Sequence, residues 1–305
     1  MSRRNKKGRV INGVVLLDKA TGLSSNKALQ QVKRLYDAQK AGHTGALDPL
    51  ASGILPICLG EATKVAQFLL DDDKKYWVRA KLGQTTTTGD SEGEVVQTLD
   101  ASGVNQADVV STAQDFIGEI AQVPPMYSAL KKDGQPLYKL ARQGIEVERK
   151  ARQVTIHSID FIDFNAGTFA LEVACSKGTY IRSLIEDIGT ALGCGAHVVG
   201  LRRIGYAHFD IAQSISFEQL EALHSDDFSQ LDAKLLPSED MLPKFRRIDL
   251  SQEHSIDIGF GRKINCGQTG EEALVKLFDH QRRFLGIGTL TPNGTIAPKR
   301  LFVQD

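Results

Sequence analysis

The stretch HTGALDPLASGILPICLGEATK, residues 43–64, constrains this chain more than any other. Between His43 and Glu61 it holds a single charged side chain, Asp48, with Gly45 before it and Pro49 directly after. So uncharged a run belongs in an interior, which puts Asp48 at the entrance to a buried segment. A lone carboxylate there is costly unless something pairs with it. Its neighbours in sequence supply neither a cation nor a metal-ligand set, so the fold must bring a partner from far along the chain.

The surrounding pattern predicts a mixed α/β (α+β) domain. GVVLLDK (13–19) reads as a strand and SSNKALQQVKRLY (24–36) as a helix behind Ser caps, with Ala28, Leu29, Val32 and Leu35 at helical spacing. EATKVAQFLL (61–70) is helix-like. KKYWVRAKLG (74–83) alternates, so that Tyr76, Val78, Ala80 and Leu82 share one strand face. TTTTGDSEGE (85–94) reads as a polar loop and QADVVSTAQDFIG (106–118) as a helix. VPPMYSALKKDGQPLY opens a protruding, basic excursion with a short helix at LYKLARQ. RQVTIHSIDFIDF (152–164) and GTFALEVAC (167–175) form an antiparallel pair about a turn at 165–167. TYIRSLIEDIGTAL (179–192) is a strong amphipathic helix, HVVGLRRIGYAHFD (197–210) returns to strand, and SFEQLEAL (216–223) carries Ser and Gln at capping-box spacing. From about residue 251, short apolar runs broken by glycines suit a small β module.

Composition narrows the function classes. The 305 residues are 41% hydrophobic and carry no net charge, which suits an ordinary globular protein and argues against a general nucleic-acid coat. The distribution of charge is more informative. Residues 131–152 hold seven Lys/Arg against three acids, whereas residues 218–240 hold seven acids against Lys234 alone. One face is cationic and another anionic. The four cysteines form no CxxC pair and the histidines show no metal-ligand spacing with them, so reduced thiols, an intracellular setting and no structural zinc are expected. The basic tail MSRRNKKGRV leads into no secretory apolar region, and no apolar run is long enough to span a bilayer. Signatures of other chemistries, GxxxxGK[ST], GxGxxG opening a helix, HExxH and GxSxG, are absent.

Among candidate residues, Arg182 lies at a helix start, outside the apolar stripe, where its guanidinium can reach back past the N-terminus. It is a candidate partner for Asp48; an exposed pair with Glu186, four residues on, is its competing use. A bidentate arginine holds a sequestered carboxylate ionised and aimed, as a nucleophile requires. Tyr76 is a core tyrosine by default or, functionally, a stacking platform with a phenol oxygen. Tyr180 and Leu201 read as core, and His43 in its glycine loop is open to either use.

At HTGALDPLASGILPICLGEATK the chain closely resembles the catalytic motif of the pseudouridine synthases, in particular the bacterial tRNA pseudouridine-55 (TruB-type) branch. GVVLLDKATGLSSN, LGQTTTTGDSEGEV, QVPPMYSALKKDGQPLYKLARQG, CSKGTYIRSLIEDIG and GLRRIGYAHF resemble that family's blocks in order and spacing. The resemblance implies a pseudouridine synthase fold, a mixed, largely antiparallel sheet flanked by helices, over 1–250, with an RNA-binding thumb at 127–152. A small PUA-like β domain is implied over 251–305. It implies isomerisation of uridine 55 in the T-arm stem-loop of tRNA, without cofactor or metal, by a cytoplasmic monomer with no membrane attachment. Carried over by residue, Asp48 is the nucleophile and Tyr76 stacks on the flipped uracil. Arg182 partners the aspartate, Tyr180 and Leu201 complete the uracil pocket, His43 contacts RNA nearby, and Lys19 supports the site. Lys131, Lys132, Lys139, Arg142 and Arg149 would face phosphates. Attack by Asp48 at C6, attack at C1′ and proton abstraction at C2′ all remain open, and the C5 proton could leave to Tyr76, Asp48 or water. The competing readings are a non-catalytic tRNA-binding or tRNA-folding protein on the same scaffold and a guide-dependent synthase.

Overall fold

The computed structural model describes residues 8–267 and 270–302. The basic tail lies, through residue 7, outside the described residues. Ten strands form one mixed sheet. Its main path runs Ile215–Ser216, Gly13–Lys19, Ser52–Leu59, Ala196–Tyr206, Lys74–Leu82, Thr168–Cys175, Arg152–Asn165, Gly118–Gln122. Neighbours are antiparallel except at two places: the Ile215–Ser216 edge, and the seam where Ser52–Leu59 meets Ala196–Tyr206. That seam is short. Only Arg202 with Ser52 and Arg203 with Gly53 are in register there, so the sheet's two halves diverge from a narrow join.

Both faces of the Gly13–Lys19 strand are covered, which is why its sequence is a continuous apolar run rather than an alternation. Val15 and Leu17 enter one core with the helices Ser25–Leu35, Gln106–Gln114 and Ile181–Ala191. Val14 and Leu16 enter a second, with Ile54, Tyr206, Met241 and Ile287. Ile181, Leu184, Ile185 and Ile188 all lie in the first core, each contributing about 2 kcal/mol by burial. The Ser24 hydroxyl caps the first helix at the Lys27 N–H, as its sequence predicts.

A second, five-stranded sheet follows, in the order Arg246–Asp249, Ala273–Phe278, Phe284–Leu290, Thr295–Leu301, Ile264–Asn265. It begins a few residues before 251 and is accompanied by a helix, Gln252–Gly259, capped by Ser251, which the glycine-broken pattern did not predict. No helix among the described residues is long and apolar enough to cross a membrane.

Three local expectations need correction. Residues 61–70 are not one helix: a 3-10 turn, Gly60–Lys64, precedes a single turn at Ala66–Leu69. The Thr63 hydroxyl bonds the Gly60 carbonyl and the Glu61 N–H goes to the Asn12 side chain, so local side-chain bonds displace the α ladder. Residues 85–94 are more than a polar loop. Gln84–Thr86 pairs with Val95–Thr98 as a hairpin, and Asp90 and Ser91 dock beside Val198. Arg182 is not left on the surface by its helix: it is 4% exposed, because the hairpin and the root of the thumb close over it.

Candidate active site

Asp48 is held by anchors on both sides. The Leu47 backbone exchanges two hydrogen bonds with the buried Ser25 hydroxyl, at 2.7 and 2.9 Å, and Leu47 and Ala51 are packed into the core. The Pro49 carbonyl accepts from the Gly22 N–H at 2.7 Å, and the Ala51 N–H closes a turn onto the Asp48 carbonyl. Gly45, at φ +64°, lets the chain turn out of the His43 strand into this loop. The side chain left over is the carboxylate, 41% exposed at the wall of a cleft of about 570 Å³ beside the seam.

Arg182 reaches that carboxylate at 2.9 Å. The same guanidinium donates to the carbonyl oxygens of Thr88 and Tyr127, each at 2.7 Å, and lies 3.4 Å from the carboxylate of Asp90. The competing exposed pair with Glu186 is thus set aside: Arg182 is a buried hub that ties the Asp48 loop, the hairpin loop and the start of the thumb together. Asp90, 3% exposed, keeps two further bonds, from the Thr88 hydroxyl and the Glu92 N–H. Burial raises the Asp48 carboxyl above its ordinary value, Arg182 opposes that rise, and Asp90 adds to it. A partly desolvated carboxylate with one oxygen held by a fixed guanidinium and the cleft open beside it is poised as a nucleophile.

Tyr76, Tyr180 and Leu201 line the same cleft. Tyr76 and Leu201 lie on neighbouring strands, with Tyr76 opposite Arg203 and Leu201 opposite Val78, so both side chains leave one sheet face. Burial raises the Tyr76 phenol, against which Arg203 acts. Tyr180 stands immediately before the Ile181–Ala191 helix, its backbone clamped at both ends by the Gln122 amide at 2.7 and 3.0 Å. Burial raises its phenol as well, with the Ser128 hydroxyl opposing. His43 and Lys19 do not line the cleft. His43 sits half-buried on a short strand against Ile57, its pKa lowered by burial and then by Arg203. Lys19 is buried behind the Asp48 loop, donating to the carbonyls of Ala20 and Leu23; burial brings it down to about 8.

The thumb leaves the cleft at Tyr127 and Ser128 and carries a two-stranded turn and the helix Leu137–Ala141. Lys131, Lys132, Lys139 and Arg142 are exposed on it. Arg149 differs from that set: its guanidinium folds back to Glu146 at 3.2 Å and to the Pro124 carbonyl at 3.5 Å. Asp90, Arg203, Ser128 and Gln122 were missed from the sequence. For Arg203 a signal existed, since alternation from Leu201 puts it on the same inward face. Nothing local marks Asp90, whose burial is made by elements distant in sequence. Among the described residues no group of three or more His, Cys, Asp or Glu is arranged to hold a metal ion.

The mixed sheet thus has a narrow seam, with the Asp48 carboxylate and its Arg182 partner at the cleft beside it. The fold is that of a chain in the structure of an H/ACA RNP bound to a substrate RNA containing 2′-deoxyuridine: TM-score 0.75 and 21% identity, covering 99% of this chain and 92% of that one. A chain of a Cbf5-Nop10-Gar1 complex gives a TM-score of 0.73 at 24% identity, covering 95% of this chain and 85% of that one.

The chain belongs to the TruB family of pseudouridylate synthases. Residues 33–181 match the TruB family pseudouridylate synthase N-terminal domain, 182–243 the tRNA pseudouridylate synthase B C-terminal domain, and 247–302 the pseudouridine synthase II TruB C-terminal region. The chain is 50% identical over 303 residues to the tRNA pseudouridine synthase B of Actinobacillus pleuropneumoniae serotype 5b (strain L20), covering 99% of both chains. It is likewise 50% identical to that of Haemophilus influenzae (strain 86-028NP), covering 100% of both.

Proposed function

We propose that this synthase isomerises uridine 55 in the T arm of tRNA, with Asp48 as nucleophile on a flipped-out uridine, acting as a cytoplasmic monomer. The observation that carries this reading is the Asp48–Arg182 pair at 2.9 Å in the wall of a cleft roomy enough for a nucleoside. The named relatives, tRNA pseudouridine synthases B, support tRNA as the substrate.

A base inside a folded loop is out of reach, so the nucleotide must be extruded at a cost of a few kcal/mol, repaid by stacking and polar contacts in the pocket. Tyr76 supplies the stack, with Tyr180 and Leu201 closing the pocket around the ring. Arg182 keeps Asp48 ionised and aimed. Asp48 then attacks C6 of the base or C1′ of the sugar, or takes a proton from C2′. The N1–C1′ bond breaks, the base turns and C5 bonds to C1′; the bond or proton held by Asp48 is given back, the C5 proton leaves to Tyr76, Asp48 or water, and N1 takes up a proton. Lys19 buttresses the Asp48 loop from behind, and His43 meets RNA at the cleft's margin. The PUA-like domain binds tRNA beyond the target loop, and Lys131, Lys132, Lys139 and Arg142 meet backbone phosphates.

The test is release of tritium from C5-labelled uridine in a T-arm stem-loop. Wild type should release it, and Asp48→Asn should be slower by at least about 10³-fold while binding the RNA normally. Wild type without release, or Asp48→Asn at the wild-type rate, would end this reading. Moving the label to other uridines of the stem-loop checks the position.

A further inference from the structure

Arg203 heads the fully buried side chains of the described residues, at 1% exposure, and among those residues no carboxylate lies within ion-pair distance of it. Buried arginines are ordinarily paired with an acid. This one is instead held by neutral groups. Its Nε donates to the Ile54 carbonyl at 2.7 Å and one terminal nitrogen to the Gly45 carbonyl at 3.1 Å. The guanidinium also opposes the burial-driven rise of the Tyr76 phenol and lies 4.9 Å from the Tyr206 ring centroid. These partners are informative. Gly45 belongs to the loop that carries Asp48, Ile54 lies across the seam, and Tyr76 stands opposite Arg203 in the ladder.

The groups facing Arg203 are Lys19, His43, Lys74, Tyr76 and Tyr206, with Asp48 nearby across the cleft. Burial, with Arg203 adding to it, lowers Lys19 and Lys74 to about 8 and depresses His43. Arg203 thus adds a guanidinium charge to the cleft wall, on the side of Tyr76 and Lys74. Each route open to the reaction puts electron density on the uracil: addition at C6 makes an enolate, and either attack at C1′ or proton abstraction at C2′ expels a uracil anion. A preformed cation beside the base meets that demand whichever route is followed.

We propose that Arg203 is a positioning residue of the isomerisation: anchored on the Gly45 carbonyl of the Asp48 loop and standing opposite Tyr76, its guanidinium holds that loop in place and supplies fixed positive charge beside the base. The assignment rests on the reading that Asp48 and Tyr76 face a flipped uridine.

The test compares Arg203→Lys, which retains a charge, with Arg203→Gln, which retains hydrogen bonding without one. Single-turnover tritium release, stem-loop affinity and thermal unfolding are measured for both. Lys should slow release about 10-fold and Gln at least about 100-fold, with affinity within about 3-fold of wild type. A buried ammonium can give up its proton within the working pH range, as a guanidinium does not. The ratio of Arg203→Lys to wild-type rate should therefore fall as pH rises and the substituted amine loses its proton.

A purely structural arginine predicts otherwise: Gln as good as Lys, rates that track melting temperature, or a ratio flat with pH. Any of these overturns the proposal, and so does failure of both variants to fold. Wild type inactive on the stem-loop ends the functional reading and this inference with it. Wild type active with Gln equal to Lys ends this inference alone.

Discussion

Replacing Arg182 by Met separates what this hub does for stability from what it does for Asp48. The methionine fills the space of the arginine stem but leaves Asp90, 3% exposed, without its cation. Breaking a buried pair from one side costs about 3–5 kcal/mol, because the remaining charge stays desolvated. The carbonyls of Thr88 and Tyr127 also lose their donor, at about 1 kcal/mol each where water cannot replace it. Against this, the Thr88 hydroxyl and the Glu92 N–H continue to serve Asp90. The expected loss is therefore about 5 kcal/mol, a large part of the roughly 5–15 kcal/mol that holds a domain together. Asp48, at 41% exposure, should behave differently: Asp48→Asn should change stability by less than about 1 kcal/mol. Urea unfolding followed by the fluorescence of Trp77, the only tryptophan, reads both. Adding Asp90→Asn to Arg182→Met should recover at least half the loss, since the uncompensated charge is gone. If Arg182→Met unfolds within about 1 kcal/mol of wild type, or the double variant recovers nothing, the hub is not an electrostatic one.

Gly53 stands at φ +101° where the two halves of the sheet meet, and a Cβ there would lie 2.2 Å from the Arg203 carbonyl oxygen; Gly53→Ala should lose at least about 2 kcal/mol and lower the melting temperature. A melting curve unchanged from wild type would mean the seam is looser than described. On the thumb, replacing Lys131, Lys132 and Arg142 together by Ala should flatten the salt dependence of stem-loop binding by about 2 to 3 in log–log slope. Arg149→Ala, whose guanidinium is already engaged by Glu146 and Pro124, should leave the slope nearly unchanged, and equal effects would refute that distinction. Burial raises Glu186 to about 6 in the folded protein, so the folded state holds the extra proton between the ordinary carboxylate value and about 6. The resulting stability is present at acid pH and lost as pH rises through that window. Relative to wild type, Glu186→Gln should therefore gain about 1 kcal/mol on going from about pH 4.5 to about pH 6.5; a difference that does not vary with pH would remove the effect.

Much of this protein is legible along the chain because the signals are local. The strands at 13–19, 74–82 and 196–206, the helices at 25–35 and 181–191, and the capping box of Ser216 and Gln219 follow from periodicity and short-range hydrogen bonding. Asp48 announced itself by isolation in an uncharged run, and Arg182 by its place at a helix start. Family resemblance, rather than spacing, gave Tyr76, Tyr180 and Leu201 their roles, and all three line the cleft.

Tertiary structure alone decided how the charges are shared. Helical spacing allowed Arg182 either Glu186 or Asp48, and only closure by the hairpin and the thumb root buried it against Asp48 and Asp90. Asp90 sat in a loop of threonines and glycines that reads as solvent-exposed, because its burial comes from strands far away in sequence. Arg149 had the composition of a phosphate contact but was captured by a nearer acid. Sequence determines which side chains share a face, a matter of bond geometry. Which of them meet across the cleft depends on how the two halves of the sheet join at Gly53 and Arg203, a contact between residues 150 positions apart.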